Sequence, residues 1–400
     1  MVPIKPKFYV DNYMYAKALG LTEDISSANS NIFSETAPNS PLGDGIRDFD
    51  AHGFFNLDPT SIRYLLGASQ ATTSATYIDY TLKDDFAWSN IMGTHQKTYV
   101  AFLGHNIINH ALHIGNPDNT WSTSMDNYTP LINAPTQMTD SVGEGISHSG
   151  WTLVEGTATN FTSFVNTPNG NWSGNRVRVA IYNADGEGED KYLNCISLGT
   201  IYELQSPDAQ LTISREYPTQ VKKKALNGSE YTNTLMPRNP RWGRLNAWEI
   251  ESGDPDGFAT EELSQHKNPA RVGRRTYKLN FSAMSGETIY PDNENSSTII
   301  QNAADYESIY GTDTIVTYNP YDPMGNQTSK AFDSLGEDDS FISQVWHKTL
   351  GGQLKFIFQA DGDRYTPDQF MIAKFKENSL EIVRTSPNTH QISVEIEESF

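Results

Sequence analysis

Four histidines crowd one stretch of this sequence: His95, His105, His110 and His113. Imidazoles at 105, 110 and 113, spaced by five and three, would converge on a metal if they lay on a helix. The stretch from Phe102 to Ile114 reads instead as strand, turn, strand, and no cysteine or convergent carboxylate accompanies it. These are therefore read as turn and strand histidines. Oxygen ligands recur at every second residue in Asn183, Asp185, Glu187 and Glu189, and again in the pairs Asp254/Asp256 and Asp361/Asp363. Calcium favours such hard ligands, yet the twelfth position counted from Asn183 is Asn194, where an EF-hand needs Glu. Solvated acidic turns are the reading; no cofactor is expected, with structural calcium in irregular loops as the alternative.

Signals for catalysis are thin. Gly145-Ile146-Ser147-His148-Ser149-Gly150 lacks the spacing of a nucleophile elbow. A phosphate-binding Gly-Lys-Ser/Thr loop and a His-Glu-x-x-His pair are both missing. Carboxylates are plentiful, so a glycosidase pair is arithmetically available, but nothing selects one. The expectation is a protein that is not an enzyme, with a polysaccharide-degrading activity as an alternative. Trp121, Trp151 and Trp172, set among Asn, Thr and Asp, are the candidates for sugar contacts, since aromatic faces and amide hydrogen bonds together suit a glycan. The same rings would serve equally as core. Cys195 is the single cysteine and sits in the apolar run 192–198, so it reads as a small buried hydrophobe.

The elements that must position these residues are mostly strands. Extended segments are expected at Phe8–Tyr13, Ala75–Leu82, Tyr99–Gly104, Asn175–Tyr182, Tyr192–Leu204 and Thr276–Met284, from β-branched and aromatic runs or polar–apolar alternation. Further strands are expected at Leu354–Phe358, Phe370–Phe375, Leu380–Arg384 and Gln391–Glu397. Short helices are expected at Pro59–Leu66 and, capped by Asp339-Ser340 and stopped by Gly351-Gly352, at Phe341–Thr349. Residues 206–272 read as a long loop or arm, because Pro207, Pro218, Pro237, Pro240, Pro255 and Pro269 limit continuous elements.

At 400 residues the chain exceeds what one core usually supports, and 11% aromatic content argues against disorder. A formal charge of −20 argues against nucleic-acid and anionic-membrane partners. No apolar run is long enough for a membrane-spanning helix, and the start of the chain has no apolar leader core, so synthesis in a cytoplasm is expected. Eleven of the 29 basic residues nonetheless fall between Arg215 and Arg275: those two with Lys222, Lys223, Lys224, Arg238, Arg241, Arg244, Lys267, Arg271 and Arg274. Such a cluster is either a solvated surface or a basic face that meets an acidic face of a neighbouring copy. Lys222, Lys223, Lys224, Arg238, Arg241, Arg244, Arg274 and Arg275 are the candidate subunit contacts.

Two stretches carry a resemblance. Tyr99-Val100-Ala101-Phe102-Leu103-Gly104-His105-Asn106, with Ile196-Ser197-Leu198-Gly199-Thr200-Ile201-Tyr202-Glu203-Leu204 downstream, resembles the galactose-binding-like jelly roll of tailed-bacteriophage tail proteins. Gly273-Arg274-Arg275-Thr276-Tyr277-Lys278-Leu279-Asn280-Phe281 resembles the strand that resumes the other domain of those proteins. The closing stretch with Phe356-Ile357-Phe358-Gln359 and Pro367-Asp368-Gln369-Phe370 is also similar to theirs. The resemblance covers about half of the chain. It implies a minor or distal tail protein of a virion: a tube-like β-sandwich assembly domain, mostly β with few short helices, interrupted by the jelly roll. The implied division is 1–84 and 273–400 for the split assembly domain, 85–205 for the jelly roll, and 206–272 for the arm. It implies His105 and Asn106 as residues that hold a turn. Implied partners are copies of the chain in a ring, expected to be hexameric, together with tail-tube and tail-hub proteins and a host-surface glycan. A receptor- or glycan-binding tail-fibre component is the nearest alternative.

Overall fold

A computed structural model describes residues 4–22, 33–34, 56–57, 64–65, 75–83, 88, 91, 97–105, 112–115, 129–130, 132–134, 137–138, 145–148, 151–156, 176–182, 193–208, 212–216, 220–224, 230–234, 274–290, 339–366, 369–386 and 389–399. The described chain is mostly β. In order it comprises β1 (Lys7–Asp11), helix α1 (Asn12–Ala18), β2 (Phe33–Ser34), β3 (Tyr64–Leu65), β4 (Ala75–Thr81), β5 (Lys97–His105), β6 (Leu112–Gly115), β7 (Thr129–Pro130) and β8 (Ile132–Ala134). There follow β9 (Gln137–Met138), β10 (Gly145–His148), β11 (Trp151–Gly156), β12 (Arg176–Tyr182), β13 (Leu193–Glu203), β14 (Thr212–Glu216), β15 (Gln220–Lys224) and β16 (Glu230–Thr234). The last part holds β17 (Arg274–Ser285), helix α2 (Gly286–Ile289), a π-helical segment (Ile342–His347), β18 (Phe356–Gln359), β19 (Phe370–Phe375), β20 (Ile382–Ser386) and β21 (Thr389–Glu398).

One antiparallel sheet of eleven strands organises the molecule. Its order is β10-β11-β5-β13-β1-β18-β19-β21-β17-β14, with β20 paired to β21 beside β19. The N-terminal β1 is therefore central, held by β13 through Phe8↔Tyr202 and by β18 through Phe8↔Phe358. The β1–β13 ladder crosses the expected boundary at 84/85, and the β1–β18 ladder joins the two expected parts of the split assembly domain. Strands β5, β10, β11 and β13 share this sheet with β1 and with β17 to β21, while β4 of the first segment pairs with β12 in a separate four-stranded sheet.

Side chains alternate across a strand, so the sheet carries a core on each face. On the first face Phe8, Val10, Phe341, Val345, Phe356, Phe358, Met371, Phe375 and Ile396 form an aromatic-rich cluster beneath the π-helical segment. Phe356 and Phe375 have centroids 4.9 Å apart, and Phe8 lies 5.7 Å from Phe341 in an edge-to-face contact. On the second face Tyr9, Tyr99, Leu103, Leu153, Cys195, Ile357 and Ile372 pack together.

Local chemistry explains where the expected elements shifted. The strand expected to reach Tyr13 ends at Asp11, because the Asp11 carboxylate accepts the Met14 amide at 2.8 Å and caps α1. The strand expected to stop at Gly104 continues to His105, with Gly104 passing through at φ 69°. Tyr64–Leu65, inside the helix expected from 59, is a strand paired with Phe33–Ser34. The helix expected at 341–349 is a π-helical turn; the Ser340 hydroxyl accepts the Ser343 amide at 3.3 Å, and Leu350, Gly351 and Gly352 end it at positive φ. The supposed arm holds β14 and the β15–β16 hairpin; Pro218 falls between strands rather than within one.

Candidate functional site

The described part of 206–275 supplies an outer edge. Strand β14 ends the large sheet and pairs with β17 from Thr212↔Lys278 to Glu216↔Arg274; among the described residues that is its one ladder. Thr212, Ile213, Ser214 and Arg215 are all exposed, and Ile213 leaves 53% of its surface open. An exposed sheet edge presents N–H and C=O groups that a further strand can take. A second hairpin follows it in the chain. Strand β15 carries Lys222, Lys223 and Lys224, opposite Thr232, Tyr231 and Glu230 of β16.

Of the expected subunit contacts, Lys222, Lys223 and Lys224 share that hairpin, and Arg274 is half-buried at the start of β17. Arg238, Arg241 and Arg244 lie outside the described residues. Arg275 is a correction to the expected basic face. It is 2% exposed, pairs with Glu398 at 3.3 Å and donates to the Phe370 carbonyl at 2.7 Å, so its guanidinium serves the interior. Alternation explains it: Arg275 shares a face of β17 with Tyr277 and Leu279, which are core residues.

Trp151 opens β11, opposite Leu103 and His148. Trp121 and Trp172 lie outside the described residues, so no sugar-contact set is assembled among the described ones. His105 sits on β5, buried, with Nε2 2.9 Å from the Thr152 hydroxyl, while His113 lies on β6 of the other sheet. His95 and His110, the acidic turn 183–189, and Asp254 with Asp256 are outside the described residues. Asp361 accepts the Asp363 amide at 3.3 Å and pairs with Arg364 at 3.3 Å, a self-contained turn. No group of three metal-ligating side chains occurs among the described residues.

Two polar chains inside the second face were not expected. Lys7 reaches both carboxylate oxygens of Glu155 at 3.2 Å and the Tyr365 hydroxyl at 2.8 Å. The Tyr9 hydroxyl lies within hydrogen-bond reach of Glu155 and of Gln359 Oε1, and the Gln359 amide donates to the carbonyls of Asp361 and Arg364. Strands β1 and β11 are three places apart in the ladder, about 14 Å in a flat sheet, so this contact requires the sheet to curl over its second face. The second chain runs from Tyr99 to the Ser197 hydroxyl at 2.8 Å and from Ser197 to Asp11 at 2.7 Å. Burial raises the Asp11 carboxyl to about 7, against the lowering by hydrogen bonds from Met14, Ser197, Tyr13 and Leu198. Burial likewise raises Tyr9 and Tyr99 well above the ordinary phenol value. These groups are hydrogen-bonded inside the protein, an arrangement that holds the strands in place. A charged residue within an apolar strand, Lys7 before Phe8-Tyr9-Val10 and Glu155 after Leu153-Val154, was the signal available in the sequence.

Comparison of the chain with protein-family models, with curated proteins and with solved structures gave no match.

Proposed function

We propose that this chain is a structural component of a phage-type tail, acting through repeated contacts between copies and with tail-tube and tail-hub neighbours, as part of a closed ring. The observation that carries the reading is the exposed edge strand β14, with Ile213 open to solvent and the lysine hairpin β15–β16 close behind it in the chain. On a chain of formal charge −20, a lysine-bearing hairpin that follows an edge strand in the sequence is complementary in charge to the remainder of a second copy. A heterologous contact of that kind closes a ring when its rotation closes. The resemblance of 99–106, 196–204 and 273–281 to tail proteins supports the same reading, with the tube-like β-sandwich and the jelly roll as its finer architecture.

The test is charge reversal on the hairpin. The variant K222E/K223E/K224E is expected to shift the purified protein from an assembly to a monomer by sedimentation velocity, with an unchanged circular dichroism spectrum. An assembly of unchanged mass and salt dependence would remove the hairpin from the contact.

A further inference from the structure

Three cations are buried among the described residues, and they are not equivalent. Lys7 has Glu155 and Arg275 has Glu398 as ion-pair partners. Lys348 is 1% exposed, yet among the described residues the acceptor that its Nζ meets is the neutral Gln344 Oε1, at 2.7 Å, one turn back along the π-helical segment. An ammonium there would have one neutral acceptor for three protons, whereas an uncharged amine is adequately served. The segment is also a joint between elements. Val345 and its N-terminal neighbour Phe341 enter the aromatic core, the Trp346 ring lies 5.2 Å from Phe375, and His347 Nε2 is 2.7 Å from the Tyr15 hydroxyl of α1.

We propose that Lys348 is a proton-operated latch: its neutral amine lets the π-helical segment stay seated on the aromatic core and α1, and proton uptake at Nζ favours unseating it. This goes beyond the assembly reading and does not depend on it. Among the described residues, the groups that face the latch are few. Asp339, at the start of the segment, favours the charged form; His347 lies next to Lys348, with Tyr15 holding its ring from α1. From β13, Tyr202 approaches Phe341 and spends its hydroxyl on the Thr288 carbonyl. From β1, the residues in this core are Phe8 and Val10, which do not titrate. Burial lowers the Lys348 amine to about 7, outweighing Asp339, and burial followed by the Lys348 charge lowers His347.

The sign follows from proton counting. Between about 7 and the ordinary lysine value the seated state binds fewer protons than the unseated one, so seating strengthens as pH rises through that window and is flat below it. Hydrogen–deuterium exchange of the full chain, read by mass spectrometry on peptides covering 340–350 and normalised for intrinsic exchange, tests this. Protection in the wild type is expected to fall about tenfold or more between pH 9 and pH 7, since one pH unit within the window is worth up to a tenfold change. Peptides covering 356–359 serve as the reference. Lys348→Met is expected to abolish that pH dependence while keeping the protection seen at pH 9. A flat wild-type profile overturns the latch however the variant behaves, and so does an unchanged slope in Lys348→Met.

Discussion

The two faces of the large sheet solve the same problem differently. The first face is filled by rings and aliphatic chains, with Phe8, Phe341, Phe356, Phe358 and Phe375 in mutual contact and the Arg275–Glu398 pair among the surrounding strands. The second face threads polar groups between its apolar ones: Lys7–Glu155–Tyr9–Gln359 on one side and Asp11–Ser197–Tyr99 on the other. Apolar packing is non-directional and tolerates compromise, whereas each polar group must meet a particular partner at a particular angle. The first face thus supplies non-directional apolar burial, and the polar contacts of the second specify which strands neighbour β1. Gly199 belongs to the same logic: a Cβ there would lie 1.8 Å from the Val10 carbonyl oxygen, so β13 approaches β1 only with glycine at that position.

Substitutions sharpen the contrast. Phe375→Ala empties a site ringed by Phe8, Phe341, Trp346 and Phe356 and is expected to cost about 3–5 kcal/mol in urea unfolding. Glu155→Leu should cost a similar amount, about 3–5 kcal/mol, for a different reason: it strands the Lys7 ammonium in the interior. The faces separate in the double variants. Adding Lys7→Met to Glu155→Leu is expected to recover most of the loss, while adding Phe8→Ala to Phe375→Ala deepens it; equal behaviour of the two pairs would break the comparison.

Ser197→Ala removes a hydroxyl donated to Asp11 and is expected to cost about 1–3 kcal/mol, because the buried carboxyl keeps its other donors but loses one. The same carboxyl gives the second face a pH response. Its folded-state value is raised to about 7, so the folded state binds the extra proton between the ordinary Asp value and about 7, and stability from this group falls as pH rises through that window. Relative to Asp11→Asn, the wild type is expected to lose denaturant midpoint between pH 4.5 and pH 7.5; parallel profiles would show that Asp11 does not titrate there. The smallest effect belongs outside both cores. Lys376→Ala, which breaks the exposed pair with Glu395, is expected to change stability by less than about 1 kcal/mol.

Legibility in the sequence follows the same division. The strands of the first face, β18, β19 and β21, announce themselves by local alternation and aromatic runs, and they sit close to where the residues place them. The polar chains of the second face do not, because their members are remote: Lys7 and Glu155 are 148 positions apart, and Tyr9 and Gln359 are 350 apart. Nothing local states that Asp11 will cap a helix rather than continue a strand, since Tyr13 and Met14 suit either. Within 206–272 the lysines of β15 hide a strand whose pairing comes from β16. Arg275 looks like one more member of a basic cluster; only the register of β17 turns it inward.

On the proposed reading the chain assembles through β14 and the hairpin that follows it in the sequence. The most direct measurement is the mass of the purified protein by light scattering, with negative-stain images of the same peak. A closed ring, or a monomer that closes into one when a tail-tube partner is added, is the predicted result. A strict trimer would point to the fibre reading instead, and a monomer inert to partners would contradict assembly.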